Sequence, residues 1–146
     1  MPNWIYNTIT TSNDLLKLVV NENDQLDFNK IIPMPHEIKS TIGKSINKWS
    51  TNKQLSQHLI KKYGANNWYD WCLHNWGTKW NAVSDTPYDG NGFIEFRTPW
   101  SFPDKVILKL SQKFPSFELK VTWYDPSASH NHELFFIKNG VSIIYQ

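Results

Sequence analysis

The stretch that decides the fold is Asn67-Trp68-Tyr69-Asp70-Trp71-Cys72-Leu73-His74-Asn75-Trp76-Gly77-Thr78-Lys79-Trp80, which holds four of the eight tryptophans. Read as a helix over residues 67–76 with Gly77 as its stop, it is apolar around most of its circumference. Such a helix is usually a buried plug, because bulky aromatics at helical spacing are more often core. The alternative is an exposed aromatic platform for a base, a sugar ring or a partner's side chain.

Length and composition indicate one compact domain with a real hydrophobic core. The chain has 146 residues, of which 15% are aromatic and 19% charged, so an ordered structure is expected. Large indole rings and the one cysteine are the strongest candidates for its centre. The predicted structural core therefore comprises Trp4, Trp71, Cys72, Trp76, Trp80, Trp100 and Trp123.

Charge and cysteine content limit the classes of function and the compartment. The net charge of +2 is too small to indicate nucleic-acid binding by itself. The single Cys72 excludes an internal disulfide and fits the cytosol. The N-terminus lacks the basic and apolar regions of a secretory signal, and no run reaches membrane-spanning length. We therefore expect a cytoplasmic protein with no membrane partner.

Alternation and capping signals predict strands and helices mixed along the first half of the chain. Residues 4–11 alternate as a first strand, and Ser12 caps a helix over residues 13–20. Residues 26–32 are predicted to extend briefly before Pro33. Residues 36–63 hold six lysines against one acid and are predicted to form two short helices, the second over residues 52–63.

The second half is dominated by strand signals. A short strand over residues 81–84, a loop up to Gly92 and a strand over residues 93–98 form a predicted hairpin. A helix over residues 103–114 follows with Ser101 as its N-cap, and then a strand over residues 117–124. Asn139-Gly140 predicts a second hairpin, between residues 133–138 and 141–145.

The order of these elements predicts an α+β fold. Without residues 36–80 it reads β-α-β-β-α-β, the ferredoxin-like arrangement with two helices on one face of an antiparallel sheet. We predict a single domain over residues 1–146. It carries a helical insertion rich in lysine and tryptophan at about residues 36–80 and a terminal β-hairpin at about residues 132–146.

Four motifs follow one another along nearly the whole chain: Met1-Pro2-Asn3-Trp4 with Asn7-Thr8, Lys30-Ile31-Ile32-Pro33-Met34-Pro35, Trp71-Cys72 with Asn75-Trp76-Gly77-Thr78-Lys79-Trp80-Asn81, and Thr98-Pro99-Trp100-Ser101. In this order they resemble the YubB ferredoxin-like family encoded by phages and plasmids. The resemblance implies a ferredoxin-like core and carriage on a mobile element, and it supplies no catalytic residues. The chain differs from the family in Ile5 and in its lysine-rich insertion, where an individual function could reside.

No catalytic, metal or cofactor site is predicted from the side chains. His130 and His132 share a face in an extended segment, but a metal site needs a third, distant ligand. Asp89 with Glu95 and Arg97 has a nuclease-like pattern at too short an interval, and a turn followed by a cross-strand ion pair explains the same residues. Cys72 is better explained as a small buried thiol than as a nucleophile. We therefore expect a non-enzymatic protein, with a metal-dependent nuclease as the alternative that stays open.

Binding to another protein is the preferred function. A small protein carried by a phage or plasmid, without a catalytic set, would act by occupying a surface, and we expect its partner to be a host protein or ribonucleoprotein complex. One such role is inhibition of a host defence complex such as a nucleic-acid-guided nuclease. Trp, Tyr and basic side chains are typical anchors of such contacts. The predicted partner-binding residues are Lys44, Lys48, Trp49, Lys53, Lys61, Lys62, Trp68 and Lys79.

The alternative function is binding of single-stranded nucleic acid. The sheet would present aromatics such as Tyr6, Phe96 or Trp123 for stacking, while the insertion lysines contact phosphate. The low net charge and the absence of an RNA-recognition signature stand against it. The chain would be a monomer or a homodimer, the latter through edge-to-edge pairing of its terminal hairpin.

Overall fold

A computed structural model describes residues 2–43, 53–128 and 132–143 of the chain. Within these ranges the strands are β1 Trp4–Thr10, β2 Phe93–Pro99, β3 Glu118–Tyr124, β4 His132–Lys138 and β5 Val141–Ile143. The α-helices are α1 Asn13–Val19, α2 His36–Lys39, α3 Lys53–Tyr63, α4 Trp68–Asn75 and α5 Asp104–Lys113. No helix in the described ranges has the length and apolar character needed to span a bilayer.

The strands form one sheet in the order β2-β1-β3-β4-β5, in which every neighbouring pair is antiparallel. Strands β2 and β3 flank β1 and run in the same direction, and α5 carries the chain from one to the other. Val83 forms a single antiparallel bridge with Arg97 on the outer side of β2. The strand predicted over residues 81–84 is reduced to this bridge. The arrangement is an α+β, ferredoxin-like fold with a terminal hairpin added beyond β3.

One face of the sheet supplies the hydrophobic core. Along β1 the buried residues alternate with partly exposed ones, so Ile5, Asn7 and Ile9 point inward. The inward residues join a buried cluster that includes Leu15 and Leu16 of α1 and several side chains of α5. Buried Asn7 donates from Nδ2 to Thr98 Oγ1 over 3.1 Å. The core therefore lies between the sheet and its two crossover helices.

Two local predictions are wrong, each because the segment makes a different local structure from the one expected. Residues 26–32 do not extend, because Asp27 Oδ1 accepts from the Asn29 N–H and starts a 3₁₀ turn, Phe28–Lys30. Ser101 does not cap α5, because the helix begins only at Asp104, and the Ser101 hydroxyl instead donates to the Gly77 carbonyl over 2.7 Å. Pro103 takes the N-cap position without a side-chain hydrogen bond.

Between α1 and β2 the chain forms α2, α3 and α4, and Glu37 ties the first two together. Its carboxylate accepts hydrogen bonds from Tyr63 Oη at 2.8 Å, His58 Nε2 at 2.9 Å and Lys62 Nζ at 3.1 Å. These bonds, led by the one from Tyr63, lower the pKa of Glu37 from 4.5 to about 2. Glu37 therefore stays ionised over most of the acid range and holds α3 against α2.

The depressed pKa of Glu37 predicts an acid-dependent contribution to stability. A carboxylate whose folded pKa is lowered stabilises the fold above its unfolded pKa, and that contribution disappears as the pH falls from about 4.5 to about 2. We expect Glu37→Gln to lower the melting temperature near neutral pH. The difference in melting temperature from the parent protein should vanish as the pH approaches about 2. Circular dichroism melts over this pH range measure it, with the exposed Glu22→Gln as the matched control. A constant difference at all pH values would contradict the ionic role.

Candidate functional site

The tryptophan-rich helix α4 has a buried side and an exposed side. It begins after Asn67, whose Oδ1 accepts from the Asp70 N–H over 2.9 Å, and it ends where Gly77 adopts a φ of 82°. Trp71 and Cys72 are buried on the helix, whereas Trp68 is half-buried and Tyr69 is 44% exposed. The helix is therefore buried on one side and exposes an aromatic ring on another, and a platform role for the exposed side stays a prediction.

The buried side is fixed by edge-to-face ring contacts and one hydrogen bond. The Trp76 ring lies 5.3 Å from that of Trp71 and 5.6 Å from that of Phe28, with interplanar angles of 83° and 63°. Its indole N–H donates to the Ile32 carbonyl over 2.9 Å. Since Ile32 follows the 3₁₀ turn, this contact joins two segments that are distant in sequence.

The exposed side forms what we call the aromatic–lysine surface, made of Trp68, Tyr69, Lys79, Trp80 and Trp100. Trp80 is 38% exposed and Trp100 60% exposed, and the Lys79 ammonium lies 4.4 Å from the centre of the Trp80 ring. Lys79 lines two adjoining depressions, a groove of about 350 Å³ that includes Trp68 and Trp80 and a cavity of about 250 Å³ that includes Tyr69 and Trp100. Lys79 thus lines the same two depressions as the four aromatic side chains of this surface.

The groove combines an apolar floor with a positively charged rim. Lys39 and Lys79 are its charged lining residues, and no carboxylate lines it. Ile42 at its edge is 54% exposed. The lining residues are Asn29, Met34, Lys39, Ile42, Trp68, Cys72, Trp76, Lys79, Trp80 and Asn81. An occupant that carries negative charge and apolar side chains fits this lining.

The prediction that Trp80 and Trp100 belong to the core is wrong, because both side chains lie at the surface. Gly77 turns the chain away from α4, which brings Trp80 to the rim of the groove. Trp100 follows β2 in a tight turn with a φ of 67°, and its backbone N–H donates to the Asn3 carbonyl over 2.7 Å. A left-handed conformation costs a bulky L-residue about 1–2 kcal/mol. Trp100 bears this strain although its side chain contributes little to the core.

Two further predicted core tryptophans, Trp4 and Trp123, are only half-buried. Trp4 points to the outer side of the sheet, where the Arg97 guanidinium lies 4.6 Å from its ring centre and the Trp80 ring 6.1 Å away. Trp123 points inward and stacks on Phe102 at 5.2 Å with an angle of 16°. Trp71, Cys72 and Trp76 are at most 4% exposed.

The predicted partner-binding residues do not form one cluster. Trp68 and Lys79 line the groove, whereas the exposed Lys53 and Lys61 lie on α3 and do not line it. Lys62, also on α3, pairs with Glu37. The predictions for Lys44, Lys48 and Trp49 fall outside the described residues. The sequence reasoning missed Lys39, Ile42 and Tyr69, for which spacing alone gives no signal.

The weak catalytic candidates have other partners in the structure. Asp89 accepts from the Asn91 side chain, and Arg97 pairs with Asp85 over 2.7 Å. His132 stacks on Tyr124, and His130 lies outside the described residues. Among the described parts of the chain, no three His, Cys, Asp or Glu side chains are placed to hold a metal ion.

The match to a family model agrees with the fold. Residues 75–143, which are 69 of the 146, match a family model described as the ferredoxin-like domain in Api92-like protein. The crystal structure of protein Api92 from Yersinia pseudotuberculosis aligns with a TM-score of 0.47 and 8% identity, over 100% of this chain and 99% of that one. The curated proteins contain no match. The specific resemblance to phage and plasmid proteins stays a prediction.

Burial predicts that Cys72 is chemically inert in the folded protein. Desolvation raises the pKa of its thiol from 9.0 to about 12, so almost no thiolate is present near neutral pH. We expect iodoacetamide to leave the native protein unmodified and to alkylate it once in denaturant, as read by mass spectrometry. Rapid alkylation of the native protein would show that the floor of the groove opens.

The strain at Trp100 predicts a difference in stability between two substitutions. Glycine accepts a positive φ without a Cβ clash, so the free energy of unfolding of Trp100→Gly is expected to exceed that of Trp100→Ala by about 1 kcal/mol. Trp100→Ala is the matched control, because it removes the same ring but keeps the Cβ. Denaturant unfolding of the two variants measures the difference. Equal stability of the glycine and alanine variants would rule out backbone strain at this position.

Proposed function

We propose that the protein is a non-enzymatic binding protein that holds a partner protein at the aromatic–lysine surface. The observation that carries this proposal is the concentration of Tyr69, Trp80 and Trp100 around Lys79, all exposed or at the rim of an apolar groove. Contiguous exposed apolar surface of this kind is characteristic of interaction sites. Trp and Tyr are also the side chains that most often dominate binding energy at protein interfaces.

The charge of the groove indicates the chemistry of the partner. Lys39 and Lys79 line it without an acidic neighbour in the lining, so a basic segment would meet uncompensated repulsion there. An acidic segment bearing leucine or aromatic side chains would place its carboxylates near the two ammonium groups and its apolar side chains on the indole rings. We therefore propose such a segment of a partner protein as the occupant.

The resemblance to phage and plasmid proteins supports a more specific hypothesis about this partner. In it, the partner belongs to a host defence complex, such as a nucleic-acid-guided nuclease, and the protein acts in the host cytoplasm by covering one of that complex's interfaces. A surface-blocking inhibitor needs no catalytic groups, and an apolar groove with a cationic rim gives it an anchor. The resemblance alone supports this level of detail.

The test combines capture from host lysate with short synthetic peptides of stated chemistry. The tagged protein is incubated with nuclease-treated lysate and, separately, with peptides that pair Leu and Phe with Asp and Glu. Lys79→Glu and Trp100→Ala are each expected to weaken binding of the acidic peptide at least about tenfold, because each removes a central anchor. Fluorescence anisotropy measures the affinities.

Two controls distinguish the proposed contact from nonspecific hydrophobic and electrostatic binding. Leu108→Ala removes another exposed apolar side chain, on α5, and should leave peptide affinity and lysate capture unchanged. Peptides with Lys and Arg in place of the acids should bind more weakly. Equal binding of acidic and basic peptides, or capture that is unaffected by Lys79→Glu and Trp100→Ala, would overturn the proposal.

A further inference from the structure

A row of stacked rings crosses the outer face of the sheet, on the side opposite the core. The strand register places Arg97, Tyr6, Tyr124 and His132 directly beside one another on β2, β1, β3 and β4. The Tyr6 and Tyr124 rings are 5.1 Å apart and within 11° of parallel, and the Tyr124 and His132 rings are 4.9 Å apart and within 21°. The row shares no residue with the aromatic–lysine surface.

Two depressions adjoin this row, and they have three lining residues in common, Tyr6, Thr8 and Tyr124. The smaller, of about 180 Å³, extends toward Arg97 and the loop at Asp85. The larger, of about 310 Å³, extends across β3 to His132 and Leu134 on β4. From β2 to β4 the sheet spans about 14 Å, three strand spacings. The rings therefore stand between two adjacent sites, each large enough for a planar ring.

Polar groups flank the rings in the next row of the sheet. Glu95, Thr8 and Thr122 are register neighbours on β2, β1 and β3, and all three line one or both depressions. Carboxylate and hydroxyl groups can accept from or donate to the edges of heterocyclic bases. At the end of the row the Arg97 Nε is buried and has no hydrogen-bond partner among the described residues. The face thus offers aromatic rings and edge contacts, beside an arginine that already pairs with Asp85 over 2.7 Å.

We propose that this face binds single-stranded nucleic acid, with two successive bases at the two depressions beside Tyr6 and Tyr124. Aromatic side chains on a sheet bind unpaired bases by stacking, because every base has a π-face. Paired bases in a duplex are already stacked and are excluded. Lys120 and Lys138 are exposed on the same face, whereas Asp85, Glu95 and Glu133 line the two depressions, so base contacts rather than phosphate neutralisation would carry the affinity. Of the aromatics named for stacking from sequence, Tyr6 lies here, whereas Phe96 and Trp123 point inward.

The test measures binding of fluorescently labelled DNA and RNA homopolymer oligonucleotides by anisotropy. Tyr6→Ala and Tyr124→Ala are each expected to weaken binding about 5-fold to 150-fold, the loss typical of one stacked base. Tyr6→Phe and Tyr124→Phe keep the rings and should bind as the parent protein does. Leu134→Glu changes a side chain that is 56% exposed, so the fold is retained, and its charge should repel the strand.

Control variants distinguish oligonucleotide binding at this face from peptide binding at the aromatic–lysine surface. Tyr69→Ala removes an exposed tyrosine from the aromatic–lysine surface and should leave oligonucleotide binding unchanged, whereas Leu134→Glu should leave peptide binding unchanged. A duplex of the same sequence and free mononucleotides should bind more weakly than the single strand. No binding of any single strand, equal binding of the duplex, or unchanged binding by Tyr124→Ala together with Leu134→Glu would overturn the inference.

Discussion

A chain of four aromatic rings joins the inserted helix to the sheet, and the position of the aromatic–lysine surface depends on it. Trp71 contacts Trp76 at 5.3 Å, Trp76 contacts Phe28 at 5.6 Å, and Phe28 contacts Phe96 of β2 at 5.9 Å, each edge to face. Removing one such buried ring typically costs about 3–5 kcal/mol, a large part of the stability of a small domain. The tryptophans of α4 thus fix where the groove lies relative to the sheet.

The fixed position of Trp76 determines how the following residues reach the surface. Gly77 takes a φ of 82°, and a Cβ there would meet the Asp104 side chain and come within 3.1 Å of the Asp104 backbone nitrogen. The next residue, Thr78, is fully buried and donates from its hydroxyl to the Pro99 carbonyl over 3.0 Å. Because Thr78 is held in the core, the residues that follow it, Lys79 and Trp80, lie at the edge of the core and line the groove. Buried Trp76 and exposed Trp80 lie only four residues apart because the chain turns at Gly77 between them.

Local patterns predicted most strands and helices, and long-range pairing set the sites. Alternation located β1, β2 and β3, and Asn139-Gly140 located the terminal turn, because these signals act within a few residues. Helical spacing could not assign the faces of α4, since that segment is apolar nearly all round. The stack of Tyr6 on Tyr124 brings together residues more than a hundred positions apart, through a register that no local signal contains. Trp100 was misplaced because its position follows from a left-handed turn rather than from hydrophobicity.

The physical character of the two surfaces differs although Trp4 lies between them. Trp4 contacts Trp80 of the aromatic–lysine surface on one side and the Arg97 guanidinium on the other. Arg97 is also held by Asp85 at 2.7 Å, so part of its charge is already compensated and its planar group is locked in place. Glu95 adds a negative charge on the same face. A strand bound there would gain more from ring stacking than from phosphate neutralisation, and its affinity would therefore fall only shallowly with salt.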